Sequence, residues 1–392
     1  MIDRDHLLEV VSEILPQVTE IRRAIHRRPE LAYEEFATTE LLAETVRGAG
    51  FIPRTRTPRT GLSVDIGSNG PTVAFRADID ALPIQEPARL SFASEVPGVM
   101  HGCGHDAHAA VAAGVVMGLS KLGVLPGRAR VIFQPAEETF PGGAHDLIRD
   151  GLLEGVGAIY AFHVDPTVDA GHIGVRTGPI TASADRLFVT LEGPGGHTAR
   201  PYRSVDLVFA AGKVAAELPA LLDRMTDARI PISLVFGQIN GGTAVNVIPT
   251  TVEMAGTCRT LDRAMWDEIP SLVERLIQDI VAPLGAKVTI HYQRGIPPVV
   301  NEAVAMAIAE RAMNTVLGPG VLVPAPASLG AEDFARYLHV VPGGLLRLGA
   351  KPPGPDVDLH SAAFSIDEAA LETGVTAALA ILFGWWQENG AV

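Results

Sequence analysis

The sequence predicts an α/β protein in which a mixed, largely parallel sheet domain is interrupted by an inserted ferredoxin-like α+β domain. Three observations carry this. Helical and strand patterns alternate over the first 180 or so residues, which implies a sheet with parallel pairs. The segment from Arg186 to Gly295 runs strand, helix, strand, strand, helix, strand, the order of a ferredoxin-like unit. At 392 residues the chain exceeds the size at which one core stops growing. The expected division is 1–182 and 297–392 for the larger domain and 183–296 for the insertion.

The elements follow from local pattern. His6 to Arg27 has an amphipathic helical spacing, and Glu34 to Gly48 is a second helix that stops at Gly48 and Gly50. Strands are expected at Leu62 to Ile66 and Thr72 to Ala77, an Ala-rich helix after Asp106, a strand at Arg128 to Phe133, a helix at Ala144 to Leu153 and a strand at Ala158 to Phe162. In the insertion, RLFVTLEG, ISLVFGQI, VIPTTVEMAGTCRT and KVTIHYQ read as strands, with helices at SVDLVFAAGKVAAELPALL and MWDEIPSLVERLIQDIVAPL. Alternation along VEMAGTCR points Cys258 inward as a core residue and Arg259 to the open face. The chain beyond resumes helix and strand and ends in a helix.

Composition narrows the class. Hydrophobic residues make up 47% and charged residues 19%, which marks a folded globular chain. A net charge of -14 argues against a nucleic-acid partner. The start, MIDRDHLLEV, is polar and acidic where a secretory signal is basic and then apolar. The longest apolar helix is expected near Ala109 to Leu119, too short to span a bilayer, so no membrane partner is expected. Two cysteines make no disulfide framework, and a cytoplasmic location is expected.

Met100 to His108, MHGCGHDAH, packs His101, Cys103, His105, Asp106 and His108 into nine residues. Thiolate and imidazole suit zinc, and imidazole with carboxylate admits manganese or cobalt. Gly102 and Gly104 let the backbone close around an ion. Asp106 falls in the first turn of the following helix, where a carboxylate is favoured, and His105 and His108, three apart, share a face. A single buried His or Cys is usually structural, but short spacings of this density are what chelation requires.

Other polar groups stand at the ends of apolar strands, where open α/β sheets bind ligands: Asp78 and Asp80, Glu137 and Glu138, and His163. An isolated pair of glutamates is ordinarily a solvated loop. After Pro135, in extended chain, adjacent carboxylates point to opposite sides, so one can hold metal while its neighbour meets water or substrate. His6, His26, His145, His172, His291 and His339 lie outside these loops and read as surface or satisfied core groups. His101 and His108 are close enough to support the ligands or to be structural.

HRRPELAYEE, FRADIDALPIQE, MHGCGHDAH, FQPAEE, AFHV, GGHTARP, NVIP, LGAEDF and LHSAAF occur in that order over nearly the whole chain. In this the sequence resembles the dinuclear metal-dependent amidohydrolases of the aminoacylase and glutamate carboxypeptidase type, in the branch of hippurate hydrolases, N-acyl amino acid deacylases and indole-acetyl amino acid hydrolases. The resemblance implies a catalytic domain with an inserted lid and dimerisation domain. It makes Cys103, His105, Glu138, His163 and His360 ligands of two divalent ions per subunit, with Cys103 bridging as a thiolate. Glu137 becomes the general base and Asp80 a carboxylate behind a ligand imidazole. Asp78 stands where the wider family has a ligand histidine, a role that His105 is expected to take over. His197 resembles a histidine that stabilises the oxyanion from a neighbouring subunit, and Asn246 and Arg259 resemble contacts to the substrate carboxylate.

The activity implied is cleavage of the amide bond of a small N-acyl amino acid by metal-activated water, in a homodimer joined through the insertion. Three rivals make different predictions. A metallo-dipeptidase or carboxypeptidase shares the metal chemistry but takes small peptides. A cysteine-nucleophile hydrolase using Cys103 keeps its activity in chelators. A metal-binding scaffold has no need of Glu137.

Overall fold

The computed structural model describes residues 2–67, 70–354 and 356–390, and it divides into two compact units. The first comprises residues 1–178, 301–326 and 336–392. Its eight-stranded sheet runs in the order Arg54–Thr55, Leu62–Gly67, Arg128–Gln134, Thr72–Asp78, Val156–Asp169, Gly343–Lys351, Ile173–Val175 and Leu322–Pro324. The centre is parallel, since the Thr72 strand pairs in parallel with the Arg128 and Val156 strands and the Gly343 strand pairs in parallel with the latter. Antiparallel pairs appear toward both margins, where Leu62–Gly67 meets Arg128–Gln134 and Gly343–Lys351 meets Ile173–Val175. The central Thr72–Asp78 strand is buried throughout, as parallel strands covered on both faces are.

The helix His105–Leu122 is buried continuously from His105 to Leu119, and its alanines and glycines let neighbouring helices come close. A Cβ at Gly114 would lie 2.5 Å from Val375 and 3.1 Å from Val18, so the helices Ala369–Glu388 and Arg4–Arg27 approach the glycine backbone itself. Among the described residues Ala369–Glu388, 20 residues, is long and apolar enough to cross a membrane by length and composition, which corrects the expectation that Ala109 to Leu119 is the longest apolar helix. Its apolar window is 72% buried inside the unit, so its hydropathy serves the core.

Two local expectations also need correction. The Ala144 helix spans only Gly143–Arg149. Gly151 at φ 79° donates to the Ile148 carbonyl and Leu152 donates to that of Leu147, a left-handed stop that the alternation of apolar residues does not reveal. The strand expected at Ala158 to Phe162 extends over Val156–Asp169, so His163 projects from within it and not from its end.

The second unit comprises residues 179–300 and 327–335. Its four strands run in the order Ile232–Asn240, Thr251–Thr260, Ala184–Glu192 and Lys287–Ile296, all antiparallel. Helices Leu207–Met225 and Arg263–Val281 share one apolar core with this sheet through Leu187, Val189, Val214, Leu218, Val273 and Ile277. Cys258 is buried at 1% exposure. The segment 327–335 was expected in the larger domain. It joins the second unit because the Ala182 amide donates to the carbonyls of Ser328 and Gly330, while Arg259 Nη1 donates to that of Leu329 at 2.8 Å.

Candidate metal centre

The first unit gathers its titratable groups at and just after the carboxyl ends of Thr72–Asp78 and Arg128–Gln134, with His163 added from within Val156–Asp169. Gly104, at φ 80°, turns the chain into the His105 helix, and a Cβ there would sit 2.4 Å from Val164. This brings the Cys103 sulfur to 3.4 Å from His163 Nε2 and 3.3 Å from His360 Nε2. His360 Nε2 lies 3.1 Å from Glu138 Oε1, which is 4.0 Å from His105 Nε2. Glu137 joins His105 and Glu138 in a group whose candidate donor atoms all fall within 4.8 Å of one another. The five residues predicted as ligands, with Glu137, therefore belong to one cluster.

The imidazoles are oriented by their other nitrogen. His105 Nδ1 donates to the Asp80 carbonyl at 2.9 Å and to its carboxylate at 3.2 Å, and His163 Nδ1 donates to the Val164 carbonyl at 2.8 Å. In the neutral rings both Nε2 atoms then carry lone pairs directed into the cluster. His105 Nε2 is buried and has no hydrogen-bond partner among the described residues. Such an orphan costs free energy unless something binds it. Donors at roughly 2.0 to 2.3 Å from a tetrahedral cation lie roughly 3.3 to 3.8 Å apart, the spacing seen around Cys103. Soft sulfur, imidazole and carboxylate in this arrangement fit a divalent transition-metal ion.

Burial pushes the Cys103 thiol up to about 12, so without a cation beside it the sulfur stays protonated at neutral pH. That disfavours a free cysteine nucleophile. His360 adopts φ 60°, unusual for a residue with a side chain, and its amide donates to the Gly102 carbonyl at 2.8 Å.

Asp78 and His108 form a closed pair beside the cluster. Arg76 Nη1 and His108 Nδ1 each donate to the Asp78 carboxylate at 2.6 Å, and His108 Nε2 accepts the Val164 amide at 2.8 Å. His108 thus has both nitrogens engaged by protein and supports the backbone just after His163. His101 is buried with neither ring nitrogen hydrogen-bonded among the described residues, and burial lowers it to about 4, so it stays neutral.

Glu137 and Glu138 do not lie in extended chain. Pro135 and Ala136 end the strand, Ala136 has φ 56°, and residues 137–140 form bends. The expected alternation of two extended neighbours is replaced by a turn, and the Glu138 amide donates to Asp80 Oδ2 at 2.9 Å.

His26 is a satisfied core group, and its partners form a charged network. Its Nδ1 is 2.8 Å from Asp106 and its Nε2 3.1 Å from Glu86, both buried carboxylates. Arg22 adds ion pairs to Asp106 and Glu368, each at 2.9 Å. A cluster of arginine and histidine in RRAIHRRPE was the signal available in the sequence for this network.

In the second unit His197 is exposed on the short strand Gly196–His197, paired opposite Val247. Its Nδ1 accepts the Ala199 amide at 3.0 Å, and the Thr198 amide donates to the Asn246 carbonyl at 3.2 Å. His197 and Asn246 are thereby brought together, while Arg259 stands on the four-stranded sheet.

Such a sheet with such a donor set defines a metal-dependent hydrolase. The model of peptidase family M20/M25/M40 matches residues 74–383, and the chain belongs to that family. Among relatives, a putative glutamate–cysteine ligase 2-3 of Rhodococcus jostii is 42% identical over 93% of this chain, which spans about half (46%) of that protein's length. An N-acetyl-L-cysteine deacetylase of Bacillus subtilis is 38% identical over 92% of this chain and 86% of its own. A solved structure of a dinuclear metal-binding peptidase of the M20 family from Bacillus subtilis superposes with a TM-score of 0.84 at 33% identity, covering 96% of this chain and 99% of that one. The chain is accordingly a metal-dependent hydrolase of C–N amide bonds.

Proposed function

We propose that the chain removes the acyl group from small N-acyl amino acids, with Cys103, His105, Glu138, His163 and His360 holding two divalent ions, zinc, manganese or cobalt. The observation that carries this is the convergence of those donors on Cys103 and Glu138, with the His105 and His163 tautomers set from behind. Divalent ions held by these residues would supply a water with its pKa lowered toward about 7 and a Lewis acid for the carbonyl. Glu137 accepts the proton of the attacking water and returns it to the leaving nitrogen. Asp80 holds the His105 ring and the Glu138 amide with its two oxygens, so one side chain aligns two ligands. The resemblance to the deacetylase supports the acyl amino acid as substrate.

His197 supplies an oxyanion donor across a homodimer formed through the second unit, and Asn246 and Arg259 take the substrate carboxylate. With Nδ1 accepting the Ala199 amide, a neutral His197 carries its proton on the exposed Nε2, as such a donor requires. The setting is cytoplasmic, with no nucleic-acid or membrane partner.

Chelation should abolish turnover of a panel of N-acyl amino acids, and zinc, manganese or cobalt should restore it at two ions per subunit. Full turnover in a sample shown to be metal-free would sink the proposal. A preference for free dipeptides over acyl amino acids would transfer the site to a dipeptidase.

A further inference from the structure

Glu35 is fully buried, carries a carboxylate and has no place in the chemistry described above. It precedes the helix Phe36–Gly48, where an acidic side chain would ordinarily cap its own helix. Here Glu30 does that, accepting the Ala37 and Thr38 amides at 2.9 and 2.7 Å. Glu35 is left to point inward. Its Oε2 accepts the Thr60 hydroxyl at 2.6 Å, and its Oε1 accepts the Ala136 amide at 2.8 Å. No cation lies within ion-pair distance among the described residues, and burial raises its carboxyl to about 7. A fully buried carboxylate without a counter-ion costs stability, and a cost retained in this way calls for a task.

The task lies in what Ala136 precedes. Ala136 is held in the left-handed region at φ 56°, a conformation that a residue with a Cβ adopts at a cost. Its amide is tied to Glu35, and its carbonyl accepts the Gly143 amide at 2.9 Å. Two residues on, the Glu138 amide is tied to Asp80 at 2.9 Å. The peptides that enter Ala136 and leave Glu137 are therefore clamped by two buried carboxylates from different elements. We infer that Glu35 is a positioning residue, whose hydrogen bond to the Ala136 amide fixes the turn that aims Glu137. This rests on Glu137 being the general base.

The two clamps have separable consequences. Asp80 tethers the peptide of Glu138, a ligand, so loss of the Glu35 clamp releases the base and leaves the ligand held. A glutamine at position 35 keeps the Ala136 bond through its carbonyl and can donate its amide to Thr60. Leucine fills the space and offers no acceptor. Aspartate keeps the charge and falls one methylene short.

The test uses E35Q, E35L, E35D and T60V beside E137Q, each assayed for metal content, kcat, KM and, in the metal-free protein, hydrogen exchange at the Ala136 amide. E35L and E35D should lose about 100-fold in kcat, as expected for a misplaced catalytic group, with KM and metal content held. Their Ala136 amide should exchange about tenfold faster, as loss of one buried hydrogen bond predicts. E35Q and T60V should stay within about threefold of wild type in both readouts, because the Ala136 bond survives. Wild-type kcat in E35D would overturn the inference, even if E35L fails to fold. So would loss of metal in step with kcat, or an unchanged Ala136 exchange rate. An active E137Q would instead refute the reading of Glu137 as base, leaving the exchange data to judge the clamp alone.

Discussion

Two polar clusters of the first unit are separated by a single peptide bond. One gathers around Cys103, His105, Glu138, His163 and His360, and the other begins at the next residue with Asp106 and takes in Arg22, Arg23, His26, Glu86 and Glu368. In the second cluster charges are matched, with two guanidiniums and an imidazolium against three carboxylates. Both nitrogens of His26 face acceptors, so its ring must carry two protons. The first cluster leaves His105 Nε2 without a hydrogen-bond partner among the described residues and the Cys103 thiol pushed up by burial. Equal density of titratable groups thus means two different things. A closed set fastens elements together, and a set with unsatisfied donors awaits a cation.

The largest expected effect sharpens the open cluster. Glu137→Gln should lower turnover by about 100 to 10,000-fold while metal content stays near wild type. Glu138→Gln should instead lower metal content, measured on the dialysed protein. The opposite pattern of metal contents would exchange the two assignments.

The closed cluster is broken most directly by Arg22→Met. Asp106 would lose a buried guanidinium partner, and denaturant unfolding should report a loss of about 3 to 5 kcal/mol. A change below about 1 kcal/mol would show that the cluster does little to hold the Arg4–Arg27 helix against the His105 helix.

A smaller effect is visible in the pH dependence of stability. Burial works against the His26 cation, but Asp106 and Glu86 outweigh it and raise the group from 6.5 to about 9. Because the folded value lies above the unfolded one, this stabilisation is complete below about pH 6.5 and is lost as pH rises through 9. Unfolding measured from pH 6 to 10 should show that decline in wild type and not in His26→Gln. An identical slope in both would place the titration elsewhere.

Glu35 supplies the contrast between charge without and with partners. Burial raises its folded pKa from 4.5 to about 7, so its contribution is favourable below pH 4.5 and is lost as pH rises through 7. Glu35→Gln should therefore be more stable than wild type at pH 8, by on the order of 1 to 3 kcal/mol, with the difference vanishing near pH 4. A less stable variant at pH 8 would mean that the Ala136 and Thr60 bonds hold the charged form better than burial penalises it.

The sequence by itself determined the layered α/β plan, because alternating periodicities of 3.6 and 2 report which faces are buried. Dense donor motifs marked the cluster, since chelation demands short spacings within MHGCGHDAH and strand ends collect the rest. Position 151 escaped because a left-handed stop depends on one φ angle. Only the tertiary structure decided the fates of the histidines. His105 and His108 sit three apart on one helix, yet one has an Nε2 with no hydrogen-bond partner among the described residues while the other spends both nitrogens on Asp78 and Val164. His26, distant in sequence, closes onto Asp106. Glu35 reaches Ala136 across 101 positions. Residue type and spacing state what a side chain can donate or accept. Whether that capacity is already satisfied depends on partners far along the chain, which the packing of helices on the sheet alone brings within hydrogen-bond distance.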